Sequence, residues 1–194
     1  FNAAVNCAAM PPELKIKIPA VRNYVRLSHP STNVFEKGER KFEEKNVFYA
    51  DSTFLQVFSF LLVKGDRETA LMRPDAVLIT ENMARKYFND DNPLGKTLKK
   101  NNGENVTVTG VMANIPSNSH LQFDFILPMS AIAKWDNDLR TNTWDNFNFY
   151  GYIQLDKNFK ANKAAIAGLN KQINKIYKEH VNEATLKIEF HLQP

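Results

Sequence analysis

Apolar positions along the chain follow two periods, and the alternation between them predicts the elements. Near the start, Pro11 and Pro12 suit the first turn of a helix, and Glu13 suits its dipole. Leu14, Ile18 and Val21 continue at helical spacing, although Leu14, Ile16 and Ile18 also alternate with lysines as a strand would. The balance predicts a short helix. Asn23 to Leu27 reads as a strand, ended by the turn cluster Ser28-His29-Pro30-Ser31. Residues 34–50 read as a hairpin turning at Lys37-Gly38-Glu39. Asp51-Ser52 carries a helix N-cap signal, and Phe54, Leu55, Phe58, Leu61 and Leu62 follow at helix-like spacing. This is a short helix or a buried turn leading into a strand.

The run Ala76 to Ile79 suits a buried strand. Thr80 can cap the following helix, with Ala84, Tyr87 and Phe88 on its inner face and Asn89 at its stop. Gly95 to Leu98 starts a hairpin arm that turns at Asn101-Asn102-Gly103-Glu104. Val106, Val108, Gly110 and Met112 fall on one face of the returning strand. Phe147, Phe149, Gly151, Ile153 and Leu155 alternate with Asn148, Tyr150, Tyr152 and Gln154, a strand with two distinct faces. Asn162 caps a long amphipathic helix whose stripe is Ile166, Leu169, Ile173, Ile176 and Tyr177. Leu186, Ile188, Phe190 and Leu192 alternate as a final strand, so the chain closes on strand, helix, strand.

Composition narrows the class. The chain has 194 residues, 43% apolar and 24% charged, which is globular and not disordered or fibrous. No stretch approaches the roughly 20 apolar residues of a membrane span, and no signal peptide pattern opens the chain. The net charge is +4, and the cluster Lys96, Lys99, Lys100 follows Asp90 and Asp91. Solvated surface charge explains this better than nucleic-acid binding. The lone Cys7 excludes an internal disulfide; among Ala3, Ala4, Ala8 and Ala9 it reads as a small packed hydrophobe.

Candidate chemistry is sparse. Gly95-Lys96-Thr97 resembles the end of a phosphate loop, but Asp90 stands where that loop needs glycine, and a carboxylate there repels phosphate. His29, His120, His180 and His191 show no helical metal spacing, with His180 placed in the last turn of a helix. The acidic pairs do not form a calcium loop, and no serine sits in a nucleophile elbow. No catalytic, cofactor-binding or metal-binding residue is assigned. Trp135, Trp144, Phe147, Phe149, Tyr150 and Tyr152 form an aromatic-rich segment that reads mainly as a core belt. Its solvent-side members Tyr150 and Tyr152 are the candidate interaction surface.

Three blocks carry a family resemblance. They are Ile79 to Leu98, with its helix, acidic turn and Pro93-Leu94-Gly95-Lys96; Val106 to Met112; and Ile115-Pro116-Ser117-Asn118-Ser119-His120 on to Phe125. Pro12 to Leu27 and Phe48 to Phe58 add to it. Together they resemble the MacB-like periplasmic core domain of FtsX/MacB-type ABC transporter permeases, in the style of Bacteroidetes-type bacteria. Asn89 stands where the family often has glycine; both accept positive φ. The resemblance implies an α+β fold. A porter-like α/β subdomain would be formed by both chain ends, 1–50 and 121–194, with a small β-rich Sabre-like subdomain, 51–120, inserted between them.

It also implies an excised ectodomain, a periplasmic domain of an inner-membrane protein lying between two transmembrane helices. Its function would be non-catalytic, coupling ATP hydrolysis by a separate cytoplasmic ABC ATPase to periplasmic movement for export or mechanotransmission. The implied partners are that ATPase, a periplasmic adaptor or substrate protein, and a second copy in a homodimer; no cofactor is implied. The alternatives are a periplasmic ligand-binding sensor or substrate-capture module, and a hydrolase assembled through space.

Overall fold

The computed structural model describes residues 4–181 and 188–193. Helix α1 is Met10–Lys17, strand β1 Val21–Ser28, β2 Ser31–Lys37 and β3 Arg40–Ala50. Then come α2 (Phe54–Val57), β4 (Leu62–Gly65), β5 (Ala76–Thr80) and α3 (Glu81–Phe88). They are followed by β6 (Thr97–Lys100), β7 (Glu104–Met112), β8 (Phe125–Pro128), α4 (Asn137–Thr141), β9 (Phe149–Leu155) and α5 (Lys163–Lys178). The fold is mixed α+β and dominated by its sheet.

Pairings run β2–β6, β6–β7, β7–β5, β5–β8, β8–β3 and β3–β2, so these strands close into a ring. Each strand of the ring contributes to one buried cluster that includes Phe35, Tyr49, Val77, Leu98, Val108 and Phe125. Phe35 and Phe125 stack at 4.2 Å. Helix α3 is capped by the Thr80 side chain and ended by Asn89 at φ 55, as the sequence predicts. It adds Tyr87 and Phe88 to the same cluster. Closure leaves few bare strand edges, the usual liability of a sheet. β1 and β9 extend the sheet outside the ring. β1 meets β3 at Leu27 and Ala50, and β9 pairs along β1 from Val21 to Ser28.

A second cluster lies on the other side of β5, β8 and β3. Leu78, Ile126 and Phe48 pack there against α2 and against Val25 and Leu27 of β1. A third joins Met10, Leu14 and Ile18 to Leu169, Ile173, Ile176 and Tyr177, the stripe expected of α5. Cys7 is fully buried in it, as its alanine-rich setting predicts.

Several expectations change. Val106 and Val108 face the ring interior but Met112 joins the second cluster, so β7 does not keep one face. The register steps from Val77–Val108 to Leu78–Gly110, leaving Thr109 as an extra residue that switches the faces. Asp51 is not a cap: α2 has Thr53 at its N-cap without a side-chain bond, and Asp51 pairs with Arg26. Lys100 is 4% exposed rather than solvated, with Nζ 2.6 Å from Glu104 and 2.8 Å from the Tyr49 hydroxyl.

Residues 188–193 form no strand. They dock on α5, where Asn174 and Asn170 bond the Phe190 and Leu192 backbone. Leu186 of the expected strand lies outside the described residues.

Candidate interaction surface

Tyr150 and Tyr152 stand two apart on β9 and so share a face. That face turns toward the second cluster, so both rings are half-buried rather than on a free solvent side. Each hydroxyl meets an imidazole that the sequence did not connect to it. Tyr150 Oη lies 3.1 Å from Nδ1 of His29, in the β1–β2 turn, with the rings edge to face at 4.8 Å. Tyr152 Oη lies 3.1 Å from Nε2 of His120, in the loop before β8. Burial, with Tyr150 beside it, pushes the Tyr152 phenol up, so it stays protonated at neutral pH. Sequence separations of 121 and 32 explain why no local motif revealed these pairs.

Phe58 packs edge to face on Tyr152 at 4.9 Å, and Phe60 is 5.5 Å from Phe58. Arg67 holds this turn by donating to the Phe58 and Phe60 carbonyls. Leu61, next in the chain, is 67% exposed. The face therefore offers aromatic edges with polar tips, a composition common in protein contacts.

The rest of the aromatic segment divides among other places. Phe149 joins the ring cluster. Phe147 packs with Tyr177 and Phe190. Trp144 stacks on His180 at 4.0 Å, and His180 lies just beyond the end of α5 rather than within its last turn. Trp135 is 76% exposed. Among the described residues, no cluster of three or more His, Cys, Asp or Glu could hold a metal, and no helix is long and apolar enough to cross a membrane.

This fold, a closed strand ring extended by a helix-covered pair, is similar overall to domains solved from ABC-type transporters and a permease protein. The chain superposes on a domain assigned to a permease protein of Porphyromonas gingivalis with a TM-score of 0.77 at 25% identity, over 94% of this chain and 81% of that one. The periplasmic region of MacB from Actinobacillus actinomycetemcomitans gives 0.66 at 15% identity, over 89% and 74%. The extracellular domain of the noncanonic ABC-type transporter YknZ from Gram-positive bacteria gives 0.62 at 17%, over 92% and 85%. No curated protein matches the sequence significantly. Residues 7–169 match the MacB-like periplasmic core domain, and the chain belongs to that family.

Proposed function

We propose that this periplasmic domain is a non-catalytic coupling element. It would carry conformational change from a cytoplasmic ABC ATPase, through the rest of the permease, to a periplasmic adaptor or substrate protein. The observation that carries this reading is the continuity of the sheet from the strand ring through β3 and β1 to β9. The ring meets β1 at the Leu27–Ala50 pair, so movement of one part is passed to the other through paired backbone, which suits rigid-body transmission. Arg26 reinforces the joint: its guanidinium pairs with Asp51 at 2.8 Å and donates to the Ala8 carbonyl, tying in the segment before α1.

The division into a porter-like part, 1–50 with 121–194, and a Sabre-like insert, 51–120, belongs to this proposal. Its support is that β4 to β7 are consecutive and pair with one another. Of these, β5, β6 and β7 complete a ring through β2, β3 and β8, so the two parts share one sheet. Tyr150 and Tyr152 are the proposed contact surface for the adaptor, the substrate protein or a second copy.

The test uses the full-length permease reconstituted with its ATPase and spin-labelled through Ile16→Cys and Met72→Cys, both exposed, while Cys7 is buried. The distance between these labels within one copy stays constant through the ATP cycle, and distances between copies or to the membrane change. Identical distances in the ATP-bound and nucleotide-free states would overturn the coupling reading. ATP turnover by the purified domain alone would overturn its non-catalytic part.

A further inference from the structure

The β1–β9 ladder carries an irregularity at its far end. Val21 pairs with Leu155 and Asn23 with Gln154, leaving Arg22 as the extra residue. The bulge switches β1 between layers. Val21 joins the α1–α5 cluster, whereas Val25 and Leu27 join the α2 cluster. Asn23 therefore lies where an apolar residue would continue the face, yet it is polar and 8% exposed. Bulges often re-aim side chains at functional places.

Beside it is a hollow of about 340 Å³, lined by Arg22, Asn23, Gln56, Gln154, Leu155 and Lys157. That volume lies at the small end of ligand sites. Its walls come from β1, α2, β9 and the turn after β9, so the hollow exists only in the folded chain.

The lining has a sign. No carboxylate lines it, and Arg22 and Lys157 bring two cations. Among the lining acceptors, Gln154 Oε1 is open and the others are engaged. Gln56 Oε1 accepts from Asn23 Nδ2 at 3.1 Å, the Gln56 carbonyl accepts from Gln154 Nε2 at 3.3 Å, and Asn23 Oδ1 accepts from the Tyr24 amide at 3.0 Å. Lys15 Nζ also approaches Asn23 Oδ1, at 3.4 Å. Asp156, next to Leu155 in the chain, accepts from the Asn158 amide through Oδ1. The Gln56 amide nitrogen and the Arg22 and Lys157 head groups remain as donors. A donor-rich, acceptor-poor cavity favours an oxyanion, because charge-assisted bonds to a guanidinium, an ammonium and amides satisfy it.

We infer that this bulge-lined hollow is a binding site for the anionic group, phosphate or carboxylate, of a small polar molecule. Arg22 and Lys157 supply the charge, and the Gln56 amide nitrogen orients the ligand. The end of β9 at Leu155 closes one side of the hollow. The site is independent of the coupling role and stands at the opposite end of β9 from Tyr150.

The test is a nuclear magnetic resonance titration of the isotope-labelled chain with glucose 6-phosphate, inorganic phosphate, acetate and glucose. Side-chain amide signals of Asn23, Gln56 and Gln154 shift and saturate with at least one anion and do not saturate with glucose. Tighter binding of glucose 6-phosphate than of phosphate assigns a contribution to the body, equal binding assigns the site to the phosphate group, and saturation with acetate alone assigns it to a carboxylate. The Arg22→Ala, Lys157→Ala double variant keeps a dispersed backbone spectrum and binds at least about tenfold more weakly. Two results overturn the inference: shifts that stay linear for every anion, or saturation that is unchanged in the double variant.

Discussion

Asn174 of α5 pairs with the Phe190 backbone as a neighbouring strand would. Its Nδ2 donates to the Phe190 carbonyl and its Oδ1 accepts from the Phe190 amide, both at 2.8 Å. One turn earlier, Asn170 Oδ1 accepts from the Leu192 amide at 2.9 Å. The helix thus provides, from two side chains, the bonding that the alternating terminal segment would otherwise seek at a sheet edge. Asn174→Ala removes both partners of Phe190 and costs about 1–3 kcal/mol. Urea unfolding should show that loss, and amide exchange at Phe190 should rise. Asn170→Ala should cost less. Unchanged exchange at Phe190 in Asn174→Ala would show that the segment is held by something else.

The Arg26–Asp51 pair predicts a larger loss. Both side chains are mostly buried, at 14% and 13% exposure, and the carboxylate also accepts from the Arg26 amide. Asp51→Ala strands the guanidinium in that setting and costs about 3–5 kcal/mol. Replacing both partners with apolar residues, as in Arg26→Met with Asp51→Leu, recovers part of it. Denaturant midpoints of the three proteins check the order.

Glycine substitutions should separate strain from space. Gly65 has φ +102, and an added Cβ would lie 2.5 Å from the Thr109 carbonyl oxygen, backbone that cannot rotate away. Gly38 has φ +59 with nothing near an added Cβ. Gly38→Ala therefore meets only the conformational penalty of about 1–2 kcal/mol. Gly65→Ala meets that penalty and the clash at the Thr109 bulge. Its melting temperature should fall further than that of Gly38→Ala; equal shifts would refute the clash.

Cys7 provides a pH prediction. Burial raises its thiol from an ordinary 9.0 to about 11. The folded state therefore holds the proton more tightly than the unfolded chain does. The resulting stability is fully present below pH 9 and is lost as pH rises toward 11. At pH 8 a disulfide reagent should react with Cys7 only as fast as the chain opens, and Cys7→Ser should alter the alkaline limb of the stability profile. Rapid labelling of the native protein at pH 8 would contradict this.

Much of the element order was legible in the residues. The α3 boundaries follow from Thr80 and Asn89, the hairpin turns from Gly38 and from Asn101-Asn102, and the α5 face from its 3.6-residue stripe. Local signals suffice there because caps, turns and stripes act within one element. The candidate surface was half legible. Tyr150 and Tyr152 could be chosen by alternation, but their partners His29 and His120 could not, because nothing local to β9 encodes which loops close over it.

The sequence by itself determined the α+β class, the main helices and hairpins, and, through the Ile79–Leu98 block, the family to which the chain belongs. Tertiary structure alone decided which face each strand shows. One extra residue at Thr109 and one at Arg22 reverse the alternation, and a pairing partner must be known before an extra residue can be recognised. It also decided that β2 closes on β6 and that the last described segment binds a helix instead of a sheet. Alternation states that a segment has two faces; the strand or helix that satisfies its backbone is set by where the rest of the chain has packed.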